Sequence, residues 1–468
     1  MAEEQVEATE LRIEAMELVT PAGTYILDDK FVVFNMYENL FSPSGGAVSA
    51  DMMVNDSINL PYKAPFLGEE WLNLILSSKS LKSEDTQLSP GPLYQTSITD
   101  RHLTKDRQQI YLLHFTSELD MIQSNTSISE AFRGQEIHKI VGKILDDYCW
   151  DNDNEQVIEA TIGVENIVIP NWKPFKALNW LAKRAVNKAG VPNFLFWESN
   201  GITYFKSVDS LMQQESKYEF IFSPVVGSNQ VMEDLAKGKM HVSHMEILNQ
   251  YNVVRNTNKG YYASKLITHD IVKKEIKQQT YGLNMAFDPH VSHTDDFMPL
   301  SADTTWYNPN QPSNSFAPQP MEDGAPEGTM QSYYDANVMF YPKHDRMYSK
   351  SKTDEYDNNV EDWKLKRNAL ILGLDQIKLR LTFPGISNIR VGYKIHLVVP
   401  SPEKVIESKP GQVENKEDLY DHFLSGEYLI TALKHTVAKR NDGKFDYTMM
   451  VDCIKDALRE PPTYHKGQ

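Results

Sequence analysis

The fold is decided by the stretch Leu370-Ile-Leu-Gly-Leu-Asp-Gln-Ile-Lys-Leu-Arg-Leu-Thr-Phe-Pro-Gly385 and three segments after it. These are Val391-Gly-Tyr-Lys-Ile-His-Leu-Val-Val-Pro400, Phe423-Leu-Ser-Gly-Glu-Tyr-Leu-Ile-Thr-Ala-Leu-Lys-His435 and Phe445-Asp-Tyr-Thr-Met-Met-Val-Asp-Cys-Ile-Lys455. Each alternates apolar with polar residues and ends at glycine, proline or Asn-Asp-Gly. Such a pattern predicts short, twisted, half-buried antiparallel strands that close into a small barrel.

The first part of the chain predicts a second set of short strands. Turn clusters such as Ser42-Pro-Ser-Gly-Gly46 and Ser89-Pro-Gly-Pro92 separate them. The predicted strands are 30–38, 50–57, 71–76, 94–100 and 110–117. We therefore expect another small barrel here.

The apolar period changes in the middle of the chain and predicts two helices and a hairpin. One helical face spans Ile137–Tyr148, with its start expected near Ser129 or Glu130. A second helix is expected to begin near Pro174 and to end with Gly190 as its C-terminal cap. The Asn200-Gly201 pair lies between two β-rich runs and predicts a two-residue hairpin turn.

Residues 284–359 form a proline-rich stretch with little predicted regular structure. Its aromatic residues suggest that parts of it pack against this chain or a neighbour. A helix near Val360–Leu372 is expected to lead into the final strands.

Composition excludes several classes of protein. With 468 residues the chain is expected to form two to four domains, and it has no apolar run of about 18 residues that would span a membrane. The N-terminus lacks a signal-peptide pattern, so synthesis in the cytoplasm is expected. A net charge of −17 argues against DNA-backbone binding as the main activity. Cys149 and Cys453 are too few for a disulfide framework and are expected to be buried free thiols.

No catalytic, cofactor or metal site is predicted. The His241/His244 and His290/His293 pairs lack the glutamate of a His-Glu-x-x-His zinc motif, and the acidic run from Asp146 to Glu155 lacks the glycine of a calcium loop. A phosphate-binding loop, a dinucleotide fingerprint, a nucleophile elbow and a kinase motif set are absent from the sequence. The carboxylates of Glu118 and Asp120 leave a glycosidase pair open.

The order of the last segments resembles a known family. The chain reads Gly-x-x-Ile-x-Leu-x-x-Pro, an acidic loop, Leu-Ser-Gly-x-Tyr-Leu-Ile-x-x-x-x-His and then a Tyr-x-Met-x-Val strand. This is similar to the second tube domain of baseplate hub proteins of contractile-tailed bacteriophages, shared with late control D proteins and type VI secretion spikes. Near the N-terminus, Tyr-Glu-Asn-Leu-Phe-x-Pro and Tyr-x-Leu-x-Phe-x-Ser-Glu resemble the first tube domain of such hubs.

The resemblance implies an α+β, mainly β chain with two small antiparallel β-barrel tube domains and an α+β module between them. The expected parts are residues 11–117 (first tube barrel), 118–207 (α+β module), 208–283 (first part of the second tube domain), 284–359 (extended insertion) and 360–458 (rest of the second barrel). The insertion departs from the family pattern.

The resemblance also implies a structural function. Family hubs are trimers whose six barrels form a ring that joins a hexameric tail tube, or a tube-initiator protein, to a trimeric spike. Baseplate wedge proteins are further expected partners, DNA only passes through the lumen, and the expected location is the virion tail baseplate after assembly in the bacterial cytoplasm. No enzyme activity and no cofactor are expected. The residues expected at subunit contacts are Phe34, Tyr37, Tyr428, Ile430 and His435.

Three alternatives remain open at this point. A spike-type secretion hub belongs to the same class of protein. A tail-associated peptidoglycan hydrolase would need a cleft with paired carboxylates, and a carbohydrate-binding adhesin would use exposed aromatic faces.

Overall fold

A computed structural model of the protein describes residues 11–42, 45–78, 87–104, 108–149, 155–223, 239–250, 252–271, 273–283, 291–295, 334–343, 360–401, 420–440 and 442–459. Strands dominate these residues, so the mainly β expectation is confirmed. The predicted insertion lies largely outside the described residues, as do His290 and the acidic residues Asp151 and Asp153. No helix within the described ranges is long and apolar enough to cross a membrane.

The N-terminal part contains eight strands and one short helix, and we call its strands the first strand set. They are β1 (Leu11–Thr20), β2 (Gly23–Ile26), β3 (Phe31–Asn39), β4 (Ser49–Asp56), α1 (Leu60–Lys63), β5 (Trp71–Ser78), β6 (Gln87–Leu88), β7 (Leu93–Leu103) and β8 (Gln109–Ser117). The five strands predicted here from alternation are all present.

The middle region mixes helices and short strands. It comprises α2 (Glu118–Asn125), β9 (Ile128–Glu136), α3 (Ile137–Tyr148), β10 (Gln156–Ile158), β11 (Val164–Trp172), α4 (Pro174–Ala182), β12 (Phe194–Ser199), β13 (Ile202–Ser207) and α5 (Val208–Met212). Its own buried apolar cluster is formed mainly by α3, α4 and the β12–β13 hairpin.

Three details of the middle region test the local predictions. The hairpin is confirmed, because Ser199 pairs with Ile202 and both turn residues, Asn200 and Gly201, have positive φ. The expected start of α3 near Ser129 is wrong, since Ser129 belongs to β9, which pairs with β11. The expected cap at Gly190 is also wrong, because α4 ends at Ala182.

The remaining elements form the last strand set and a small separate sheet. In order they are β14 (Glu219–Phe222), β15 (Lys239–Val242), β16 (His244–Gln250), α6 (Val253–Lys259), β17 (Ala263–Asp270), β18 (Glu275–Gly282), a 3₁₀ helix (Tyr334–Ala336), β19 (Val338–Lys343), α7 (Val360–Gly373), β20 (Ile377–Pro384), β21 (Lys394–Val398), β22 (Gly426–Lys439) and β23 (Phe445–Lys455). We call β14–β16 and β20–β23 the last strand set. The helix expected near Val360–Leu372 is confirmed as α7.

Both strand sets belong to one large sheet. Its path runs β15-β14-β21-β22-β3-β4-β8-β7-β5-β1-β2, with β23, β20 and β16 branching from β22 and β6 added to β5. The strands β20 to β23 are antiparallel, as their alternation predicts, whereas β14 runs parallel to both neighbours. One continuous apolar core, from Leu11 to Leu458, lies beneath both sets. Closure into two barrels and the five-part division of the chain remain predictions.

Candidate functional site

The candidate site is built on the pair formed by β22 and β3, which we call the seam. Residues Ala432–Ala438 pair in antiparallel register with Val33–Asn39, in unbroken sequence along both strands. The strand β22 is long enough to pair also with β21 near its start and with β23 along most of its length. The seam therefore joins the two strand sets through backbone hydrogen bonds.

Alternation along the seam strands separates a buried face from a polar face. On β3 the side chains of Phe34 and Met36 are fully buried, and on β22 those of His435 and Val437 are too. The residues between them point to the opposite side of the sheet because successive side chains alternate. We call that side the polar sheet face.

A chain of hydrogen bonds crosses the seam on the polar sheet face. Thr436 Oγ1 donates to Asn35 Oδ1 at 3.0 Å, and Asn35 Nδ2 donates to Asp51 Oδ2 on β4 at 2.8 Å. Partial burial, together with a hydrogen bond to Asp51, raises the pKa of Tyr37 above the ordinary tyrosine value. Lys434 Nζ lies 5.5 Å from the centre of the Tyr37 ring, which allows a cation–π contact. These contacts fix the seam side chains in one arrangement.

Charges further along this face are paired. Arg380 Nε and Nη2 donate to the two oxygens of Asp452 at 2.7 and 3.1 Å, and Lys378 Nζ lies 3.3 Å from the same carboxylate. The hydrogen bond to Asp452 raises the pKa of Arg380. The polar sheet face therefore consists mainly of hydroxyls, amides and paired charges. Among the described residues it has few unpaired cations that could bind a polyanion such as DNA.

The five predicted contact residues divide into two groups. Only Tyr37 has an exposed side chain, at 36%, and it lies on the polar sheet face. The other four side chains are buried within one chain: Phe34, Tyr428, Ile430 and His435. Tyr428 Oη donates to the Leu424 carbonyl at 2.7 Å. Contact between subunits through these residues remains a prediction.

His435 is held neutral in the core. Its Nδ1 lies 2.6 Å from Tyr447 Oη, and the two rings stack. Complete burial lowers the pKa of His435 well below the ordinary histidine value, with the Arg390 charge acting in the same direction. The imidazole is therefore a packing residue of the last strand set.

The other titratable candidates do not assemble into a chemical centre. His241 is buried on β15 and His244 is exposed on β16, while His293 Nδ1 lies 2.8 Å from the Asp456 carboxylate. Asp120 accepts a hydrogen bond from Thr116 at the start of α2. Within the described part of the chain, no three histidine, cysteine, aspartate or glutamate side chains lie close enough to hold a metal ion. Both cysteines are buried, as predicted, and neither forms a disulfide among the described residues.

One feature of the middle region is not predicted from its apolar pattern. Trp172, Lys176, Trp180 and Arg184 follow one another at four-residue spacing along α4 and its flanks. Lys176 Nζ lies 4.8 Å from the Trp172 ring and Arg184 Cζ lies 4.1 Å from the Trp180 ring. Four-residue spacing places side chains on one helical face. The alternating aromatic and cationic residues could therefore have been found from the sequence, although the apolar pattern of α4 is stronger.

Comparison with known proteins shows which fold this is. No protein-family profile matches the chain, and no curated protein matches it in sequence. The structure is similar to that of a tail protein from Neisseria meningitidis MC58, with a TM-score of 0.50 and 11% identity over 94% of this chain and 96% of that chain.

Two further solved structures are similar with lower scores. The 43 kDa tail protein of prophage MuSo2 from Shewanella oneidensis has a TM-score of 0.47 and 11% identity, covering 96% of this chain and 100% of that one. A type VI secretion system component from E. coli, described as structurally similar to T4 bacteriophage tail proteins, has a TM-score of 0.40 and 9% identity, covering 97% and 79%. The fold assignment rests on the first structure. The chain has the fold of that tail protein, which agrees at the level of the fold with the resemblance seen in the sequence.

Proposed function

We propose that this chain is the structural hub subunit of a phage tail baseplate. Three copies form a ring of pseudo-six-fold symmetry that joins the hexameric tail tube, or its initiator, to the trimeric spike. Wedge proteins contact the outside of the ring, and the duct for DNA or tape measure runs through it. The observation that carries this proposal is the seam, because one chain thereby contributes two adjacent strand sets with a shared polar face.

Strand direction in the large sheet suits closure of such a ring. The eight strands β16-β20-β23-β22-β3-β4-β8-β7 are antiparallel at every step. Because the number is even, the two outer strands run in opposite directions, and β16 of one copy can lie antiparallel to β7 of the next. Repetition of one head-to-tail contact is what closes a cyclic oligomer.

Both outer strands, β16 and β7, have an unpaired backbone edge where the contact with the next copy would form. In the described part of the chain, β16 pairs only with β20, and β7 beyond Tyr94 pairs only with β8. Each also carries an exposed apolar residue, Ile247 at 44% and Leu103 at 83%. An open strand edge is a ready template for another strand, so these edges support association with a second copy.

The polar sheet face suits the wall of a duct. On it Lys378 and Arg380 pair with Asp452, and the whole chain carries a charge of −17, so phosphates are repelled rather than held. Under this proposal DNA passes through without a binding site, and the chain performs no chemistry.

The experiment is imaging and mass measurement of the purified protein with edge variants. We expect three-fold particles with six lobes and a central hole, and a folded monomer for the double variant Leu103→Lys/Ile247→Lys. The matched control is Ile276→Lys on β18, which is 70% exposed and lies outside the large sheet. A wild-type protein that remains monomeric at high concentration contradicts formation of the ring from this chain alone.

Proline substitutions at Phe34 or Ile430 are less informative tests. Both residues are fully buried in the core of a single chain, and Ile430 N donates to the Tyr393 carbonyl at 2.9 Å. Proline there removes a backbone donor and disrupts the fold itself, so loss of a trimer would not identify a subunit contact.

A further inference from the structure

A cavity of about 690 Å³ opens beside α4, and none of the paired seam residues lines it. Its walls come from α4, from α7 and from the residues that follow β3. The apolar part of its lining includes Phe175, Leu195 and Ile371. A cavity of this size can accept one or two side chains of a bound segment.

Every charged residue that lines the cavity is cationic. Lys173, Lys176, Lys183 and Arg367 line it, and its lining contains no aspartate or glutamate. Arg367 donates to the carbonyls of Ala182, Pro192 and Phe194 at 2.8–3.0 Å. Within the described residues none of the four cations forms an ion pair, which is unusual in a chain whose net charge is −17.

Local electrostatics agree with an excess of positive charge. Burial lowers the pKa of Lys364 on α7, and the nearby charges of Arg367 and Lys183 lower it further. Burial also lowers the pKa of Arg367 to about 10. An anionic partner placed in the cavity would relieve this repulsion.

Aromatic side chains at the cavity supply the second recognition element. Trp172 and Trp180 both line it, and their rings meet edge to face at 5.4 Å. A cation already contacts each ring, Lys176 at Trp172 and Arg184 at Trp180. Tryptophan and arginine dominate the energetics of protein–protein contacts, and this cavity combines both with an apolar floor.

We propose that this cavity binds an acidic, aromatic-bearing peptide segment of a partner protein. Its cations pair with the carboxylates, and its apolar floor accepts the aromatic side chain. A nucleic acid fits less well, because its sugar–phosphate backbone offers no apolar group to fill the floor of the cavity. Binding at this site does not depend on ring formation.

The test uses the full chain and labelled random copolymers of glutamate and tyrosine, with fluorescence anisotropy as the readout. We expect saturable binding, stronger than that of polyglutamate of equal length. The variant Lys176→Glu/Lys183→Glu should bind about tenfold more weakly or worse. The matched control Lys139→Glu/Lys188→Glu changes the same net charge at exposed lysines outside the cavity and should bind like the wild type.

Four results would overturn the proposal. Equal binding of the copolymer by both double variants places the contact elsewhere, and equal binding of polyglutamate removes the aromatic requirement. Tighter, competitive binding of single-stranded DNA identifies a nucleic-acid site instead. Stronger copolymer binding after deletion of residues 296–333 would show that the chain's own segment occupies the cavity rather than a partner.

Discussion

Two buried charged sites differ: a lysine of the last strand set has an oppositely charged partner, whereas a carboxyl of the middle region has no hydrogen-bond partner among the described residues. In the last strand set, Lys455 Nζ lies 3.2 Å from Asp295 Oδ2, and Asp456 accepts hydrogen bonds from Thr294. In the middle region, Glu165 is buried without a hydrogen-bond partner for either oxygen among the described residues. A matched buried pair stabilises the fold, whereas a buried carboxyl without a hydrogen-bond partner costs stability once it ionises.

The largest expected effect is loss of the Lys455–Asp295 pair. Lys455 is fully buried, and Asp295 is 9% exposed. Replacement Lys455→Met leaves a buried carboxylate without its cation, so the free energy of unfolding should fall by about 3–5 kcal/mol. Denaturant titration measures this. The double variant Lys455→Met/Asp295→Leu should recover most of the loss, and a double variant as unstable as the single one would argue against a matched pair.

The next largest effect concerns Asp56 in the first strand set. Its carboxylate accepts hydrogen bonds from Leu60 N at 2.7 Å, Ile58 N at 2.8 Å and Gln109 Nε2 at 2.9 Å. Asp56→Ala leaves these donors unsatisfied and should lower the free energy of unfolding by about 2–3 kcal/mol. Asp29→Ala, at an exposed site, is the control and should change it by less than about 0.5 kcal/mol. Equal effects would show that the Asp56 contacts contribute nothing.

A smaller, pH-dependent effect is expected at Glu165. Burial raises the pKa of Glu165 to about 7, only partly opposed by the Arg184 charge. The folded carboxyl therefore stays protonated where the unfolded one ionises, so its stabilising contribution is complete below pH 4.5 and is lost as the pH rises through about 7. Glu165→Gln should raise the melting temperature at pH 8 and leave it nearly unchanged at pH 4. Glu14→Gln is the exposed control. If Glu165→Gln changed the melting temperature equally at both pH values, ionisation of a buried carboxyl would not be the cause.

The smallest expected effect is on stability at the cavity. Lys176 and Lys183 are exposed, so Lys176→Glu/Lys183→Glu should change the free energy of unfolding by less than about 0.5 kcal/mol. Thermal denaturation beside the binding assay separates the two properties. A large loss of stability would mean that these lysines support the fold rather than a ligand.

Local periodicity predicts the strands and helices well but not what joins them. The alternation in 377–384 and 445–455 and the Asn200-Gly201 turn are local signals, and each element appears where predicted. Ser129 misleads because a capping residue type also occurs within strands. The seam has no local signal at all, since Asn35 meets Thr436 across 401 positions. The cationic cavity is only weakly indicated by the sequence, through the four-residue spacing of aromatic and cationic residues. The apolar pattern of α4 is stronger and dominates the prediction there.

The separation of the two seam strands has a consequence for synthesis on the ribosome. At translation rates of about 5–20 residues per second, β3 waits about 20–80 seconds after its emergence before β22 exists. During that interval the edge of β3 that will receive β22 is open to any other strand. Nascent chains that end before β22 should therefore aggregate or bind chaperones, and polysomes translating this message are places where neighbouring copies can exchange strands.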